Sequence, residues 1–152
     1  MENIFIEQSK ALLEEPDMIA ALSNLSALIN ETFDRLNWAG FYFVKNGELV
    51  LGPFQGKVAC THIPFDKGVC GLTYRTRSTQ IVPDVHAVKD HIACDSASRS
   101  ELCVPVLVNG DCVLEIDLDS PEPDRFDQNT ADIFNRLAEL ITDAWITCGW
   151  PA

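Results

Sequence analysis

Residues 38–54 read Trp38-Ala39-Gly40-Phe41-Tyr42-Phe43-Val44-Lys45-Asn46-Gly47-Glu48-Leu49-Val50-Leu51-Gly52-Pro53-Phe54, and this stretch decides the fold. Trp38, Gly40, Tyr42 and Val44 alternate with Ala39, Phe41 and Phe43, the period of two that belongs to a strand. Asn46-Gly47 separates this run from the returning apolar run, Glu48 to Phe54. Asn and Gly tolerate the positive φ angles that a two-residue hairpin turn demands. The same arrangement recurs downstream as Leu102 to Val108, Asn109-Gly110, then Cys112 to Leu118. Two hairpins with one turn chemistry predict an antiparallel sheet.

Helical spacing flanks these hairpins. Ile4 to Leu36 reads as two helices parted near Pro16, with Asp17 at the second start. Ile19, Leu22, Leu25, Leu28, Ile29, Phe33 and Leu36 give that second helix a broad apolar face. Asp127 is placed to cap a last helix whose face runs Ile133, Phe134, Leu137, Leu140, Ile141 and Trp145. Between the hairpins, Val58 to Ile63 and Gln80 to Val82 read as short strands and Gly71 to Thr76 as a short helix. Asp84 to Ser100 has no clean period and holds two of the three histidines and Cys94, a loop long enough to expect function from it. Together these elements predict one α+β domain spanning residues 1–152, with helices over about 2–36, sheet and active-site loops over about 38–120, and a C-terminal helix over about 127–147.

A chain of 152 residues can bury a core without staples. Its net charge of −12 would repel a phosphate backbone and an anionic membrane, so neither nucleic acid nor membrane is an expected partner. Glu2, Glu7 and Lys10 interrupt the first apolar residues, and no run nears the roughly 18 apolar residues of a membrane span. A cytoplasmic location follows as the expectation. In that compartment six cysteines read as free thiols, metal ligands or catalytic groups rather than a structural framework.

Cys94 has the strongest claim to reactivity. A working thiol needs partial exposure and help in ionising, and Cys94 lies in a loop with His91 before it and Arg99 after it. The competing reading is a small buried hydrophobe. That alternative weighs more on Cys60 and Cys70, each near a strand or turn, and Cys103 and Cys112 read as packing residues of the second hairpin. No Cys-x-x-Cys pair exists, and Cys60-Thr61-His62 and His91-Ile92-Ala93-Cys94 are odd ligand spacings, so no metal is expected. Asp117 and Asp119 stand two apart and share a face, with Glu115 extending the row. One reading makes this the wet face of the sheet. The other has the acids, with Glu101, line a pocket walled by Trp38 and Tyr42, a suitable place for an ammonium group.

Six motifs in unbroken order then resemble one family. They are Trp38-Ala39-Gly40-Phe41-Tyr42, Leu51-Gly52-Pro53-Phe54-Gln55-Gly56, Gly68-Val69-Cys70-Gly71, His91-Ile92-Ala93-Cys94-Asp95, Ser100-Glu101 and Asp117-Leu118-Asp119-Ser120. The sequence resembles the free methionine-(R)-sulfoxide reductases, small stand-alone GAF-domain enzymes. The resemblance implies Cys94 as nucleophile, Cys60 as its main resolving partner and Cys70 as an alternative or second resolver. It implies that Glu101, Asp117 and Asp119 hold the substrate's amino group and sit near the sulfoxide oxygen, with Trp38 and Tyr42 as the aromatic wall. It further implies thioredoxin as reductant, no cofactor, and a homodimer as a plausible assembly.

The chain departs from the family pattern at Leu114 and Glu115, where a Gly and a small apolar residue are usual, and in the additional Cys103 and Cys112. The first departure is expected either to alter packing or to add one more acid near the pocket mouth, and either added cysteine offers a competing disulfide. Two rival functions stay open on sequence: a non-catalytic GAF sensor of a small ligand, and a peroxide-sensing thiol protein.

Overall fold

Both Asn-Gly pairs turn the chain as expected. In the computed structural model, which describes residues 2–88 and 96–151, Asn46 and Gly47 have φ of 53° and 79°, and Asn109 and Gly110 have 53° and 83°. Two successive positive φ angles make the type I′ turn, whose twist matches that of paired strands.

In chain order the elements are α1 (Glu2–Leu12), α2 (Met18–Thr32), β1 (Trp38–Lys45), β2 (Glu48–Gly56), β3 (His62–Pro64), α3 (Gly68–Thr76), β4 (Gln80–Val82), β5 (Ser100–Val108), β6 (Asp111–Ser120) and α4 (Gln128–Cys148). The strands form one sheet in the order β3-β2-β1-β6-β5-β4, antiparallel at every step. This is an α+β fold, and the two long hairpins meet where β1 pairs with β6.

The period of two sorts side chains between the two faces. Ala39, Phe41 and Phe43 of β1, Leu102, Val104 and Val106 of β5, and Leu114, Ile116 and Leu118 of β6 join the core beneath α1, α2 and α4. Phe5, Phe33 and Phe134 meet there with ring centroids 5.0–5.8 Å apart. Fully burying one such side chain stabilises the fold by about 1.5–3 kcal/mol, so this face holds most of the stability. Trp38 and Tyr42 point the other way and pack with Cys103 and with Val69 and Cys70 of α3. Asp17 caps α2 by accepting from Ala20 N–H at 2.9 Å, and Asp127 caps α4 by accepting from Thr130 N–H at 2.8 Å. Among the described residues no helix is long and apolar enough to cross a membrane.

Four local expectations need correction. The strand expected from Val58 to Ile63 shrinks to His62–Pro64, and Val58 is 88% exposed, because β3 finds a partner only against Glu48–Val50. α3 starts at Gly68 rather than Gly71, since Gly68 enters it at a φ of 66° and Gly71 leaves room for the Phe65 carbonyl. Cys70 therefore lies in a helix turn. Ile19 is 52% exposed, off the core face of α2, and Phe33 and Leu36 pack from beyond that helix's end. Lastly, a 3₁₀ turn at Val85–Ala87 opens the segment expected as one continuous loop from Asp84.

Candidate active site

Strand register builds the site on the face away from α2 and α4. Across β1, β6 and β5 the rungs are Trp38–Asp119–Glu101, Gly40–Asp117–Cys103 and Tyr42–Glu115–Pro105. Three carboxylates of β6 and one of β5 thus share a face with two aromatic rings. Carboxylate oxygens of Glu101, Asp117 and Asp119 lie within 4.8 Å of one another. Gly40 matters to the wall: a Cβ there would meet Phe54 Cβ at 2.3 Å. Phe54 instead stacks on Trp38 at 5.1 Å, and Trp38 stacks on Tyr42 at 5.8 Å. Tyr42 Oη donates to the Cys60 carbonyl at 2.9 Å and ties the segment before β3 to this wall.

Cys70, in the first turn of α3, is set against the acids. Its Sγ lies 4.0 Å from Glu101 Oε2 and 3.8 Å from Cys103 Sγ, and Cys103 Sγ donates to Glu115 Oε1 at 3.2 Å. Cys103 was expected to pack, or to offer a competing disulfide. Its shared parity with Glu101 along β5 was the available signal that it faces the acids. Cys112 is buried apart from this cluster, its thiol pushed up to about 12 by burial.

The wet-face alternative fails on burial. Glu115 is 0%, Asp117 5% and Glu101 8% exposed, while Asp119 is half-buried. Glu115 is thus inside the pocket rather than at its mouth. Burial, reinforced by the charges of Asp117 and Asp119, holds the Glu101 carboxyl well above the usual carboxylate range. Burial also raises Asp117, while the hydrogen bond from Glu101 pulls it back. Once ionised, each carboxyl disfavours ionisation of the other, so the two titrate as a pair. Burial, with the charge of Asp117 adding to it, raises Glu115, and the Cys103 hydrogen bond opposes. The neighbouring Cys103 sulfur and then burial keep the Cys70 thiol protonated, and burial does so for Cys103. Among the described residues, Asp117 Oδ1, Glu115 Oε2 and Trp38 Nε1 are buried without a hydrogen-bond partner. Two acceptors and one donor therefore face inward unmatched, which is costly in the absence of a ligand.

Of the site residues expected from sequence, Trp38, Tyr42, Cys70, Glu101, Asp117 and Asp119 come together on this face. Cys60 packs against the same cluster and is disulfide-bonded, whereas Cys70, Cys103, Cys112 and Cys148 are free thiols. The expectations for His91 and Cys94 lie outside the described residues.

Glu115 gives a stability prediction. A carboxyl raised in the folded state binds its proton more tightly there than when unfolded, so stability falls as pH rises from the ordinary glutamate value of about 4.3. Glu115→Val should raise the thermal midpoint near pH 8 by the equivalent of about 1–3 kcal/mol, with the gain vanishing near pH 4. Thermal unfolding in chelator checks this. A gain independent of pH would assign the effect to packing.

Comparisons with known proteins agree with this architecture. A family model described as GAF domain matches residues 20–145. The free methionine-R-sulfoxide reductase of Escherichia coli is 42% identical over 127 residues, covering 83% of this chain and 77% of that protein. The free methionine-R-sulfoxide reductase of Saccharomyces cerevisiae is 44% identical over 136 residues, covering 84% and 76%. The X-ray structure of the Neisseria meningitidis free methionine-R-sulfoxide reductase in complex with its substrate superposes with a TM-score of 0.94 at 39% identity, covering 97% of this chain and 90% of that one.

Proposed function

The chain belongs to the GAF-domain family of free methionine-R-sulfoxide reductases, and from that premise we propose that it reduces free L-methionine-(R)-sulfoxide to methionine by cysteine chemistry on this acid-lined face. The observation that carries the proposal is the buried Glu101–Asp117 pair with its retained proton, beside Asp119 and the Trp38–Tyr42 wall.

A sulfoxide sulfur accepts a thiolate only when its oxygen is hydrogen-bonded or protonated. Glu101 is a carboxylic acid held neutral, suited to give that proton. In the proposed sequence the Cys94 thiolate attacks sulfur while Glu101 protonates the oxygen. The hydroxyl so formed passes from the substrate sulfur to the Cys94 sulfur as the new S–S bond breaks. That bond's electron pair returns to the substrate sulfur, which leaves as methionine, and Cys94 is left as sulfenic acid. Cys60 thiol then displaces it as water, forming the Cys60–Cys94 disulfide. Two thiols are oxidised and one sulfoxide is reduced. A dithiol protein of the thioredoxin kind restores both thiols by exchange. Cys70, a protonated thiol at rest, is the reserve resolver.

Asp117 and Asp119 would receive the substrate's α-ammonium over the aromatic wall. That arrangement selects the free amino acid, because a blocked amine leaves buried acids unpaired. With dithiothreitol as reductant, the protein is expected to release methionine from L-methionine-(R)-sulfoxide and to turn over the N-acetyl derivative at least about 10⁴-fold less efficiently. Equal turnover of both would remove the ammonium role from the acids. Release from neither would return the protein to the ligand-sensing alternative.

A further inference from the structure

We propose that Cys70, Cys103, Asp117 and Glu115 form a site for a thiophilic divalent cation, zinc(II) being the fitting class. The Cys70 and Cys103 sulfurs are 3.8 Å apart. Two thiolates bound tetrahedrally to zinc at about 2.3 Å lie about 3.8 Å from each other. A carboxylate oxygen of Asp117 is within 4.8 Å of both sulfurs, and Glu115 Oε1 is 3.2 Å from Cys103 Sγ. Three donors thus converge from one helix and two strands, Glu115 stands beside the Cys103 sulfur as the fourth, and each strand is fixed by its ladder.

An independent observation points to a ligand here. Asp117 Oδ1 and Glu115 Oε2 are buried and unpartnered among the described residues, on side chains 5% and 0% exposed. A cation satisfies such oxygens directly. The two sulfurs set the class, since soft thiolates select zinc over magnesium or calcium. Binding needs no redox step: each thiol releases its proton to solvent as its sulfur bonds the metal. Sequence spacing concealed the site because Cys70 and Cys103 stand 33 residues apart. A consequence, which rests on the proposed reductase function, is that a bound cation takes Asp117 from the substrate's ammonium and so opposes turnover.

Cadmium(II) is a suitable probe, because its bonds to thiolate give an ultraviolet charge-transfer band. The reduced Cys60→Ser/Cys94→Ser protein removes the other proposed redox thiols. It is expected to develop that band with saturation at one equivalent. Adding Cys103→Ser, which keeps a hydroxyl donor for Glu115, should weaken binding by about 100-fold or more, whereas adding Cys148→Ser should change nothing. No band, or a band that survives Cys103→Ser in a protein with unchanged circular dichroism, overturns the site. This measurement uses no sulfoxide, so it stands or falls apart from the reductase activity. In the otherwise native chain, zinc should inhibit methionine release and Cys103→Ser should relieve the inhibition. Equal inhibition of both proteins would overturn the link to turnover.

Discussion

Glu101→Gln is expected to lower turnover of the free sulfoxide by about 10²- to 10⁴-fold while leaving the fold and the thiols intact. The amide matches the carboxyl in shape and still donates a hydrogen bond, but it gives up no proton. The pH profile separates this role from a structural one. In the native chain, efficiency should decline at alkaline pH as the Glu101–Asp117 pair loses the proton that burial and Asp119 help it retain. That limb should vanish in the variant, leaving the acid-side limb set by thiolate formation. A lower rate with an unchanged alkaline limb would move the proton donor elsewhere. The peroxide-sensing alternative predicts no effect on thiol oxidation or its rate, which a thiol titration with peroxide resolves.

The larger effect is expected from Cys94→Ser, which should reduce methionine release to background, a loss of more than about 10⁴-fold. A hydroxyl is neither ionised enough nor soft enough to attack the sulfoxide sulfur. Cys60→Ser is the informative contrast. Without added reductant, and with Cys70→Ser added to remove the reserve resolver, it should still release one methionine per chain and retain sulfenic acid, since the nucleophile is intact and only the condensation is lost. Quantifying methionine in a single turnover distinguishes the two. Release from Cys94→Ser would assign the attack to another thiol. Cys70 would then be the candidate beside the proposed proton donor, at 4.0 Å from Glu101.

The legible parts of the fold were those with local causes. Asn46-Gly47 and Asn109-Gly110 could turn only one way, and the alternation on either side assigned each strand's faces. The acids at 101, 117 and 119 followed from the same parity, because an acid on an otherwise apolar strand must face something. What parity could not tell was whether that face was wet; α3 lying across it settles the question, and α3 was only half visible. Gly68 and Gly71 are poor helix formers, so the first turn, which carries Cys70, read as loop. Cys103 packs as expected, but its polar neighbours were hidden for a related reason. Its partners come from a separate helix and from the next strand, and no local pattern announces such a meeting. Val58 shows the converse error, in which β-branched character suggested a strand where no neighbouring strand exists to pair with it.

The acids stand on β6 and β5, interior strands of the sheet, while the short β3 and β4 lie at its edges. Local fraying in a protein begins at edges, loops and short elements, and interior ladders open only in global unfolding. The floor of the pocket is therefore the last part of the molecule to exchange its amide hydrogens. α3 and the stretch held by the Tyr42–Cys60 contact are attached more lightly. The carboxylates are therefore expected to keep their geometry through local openings that loosen the elements around them.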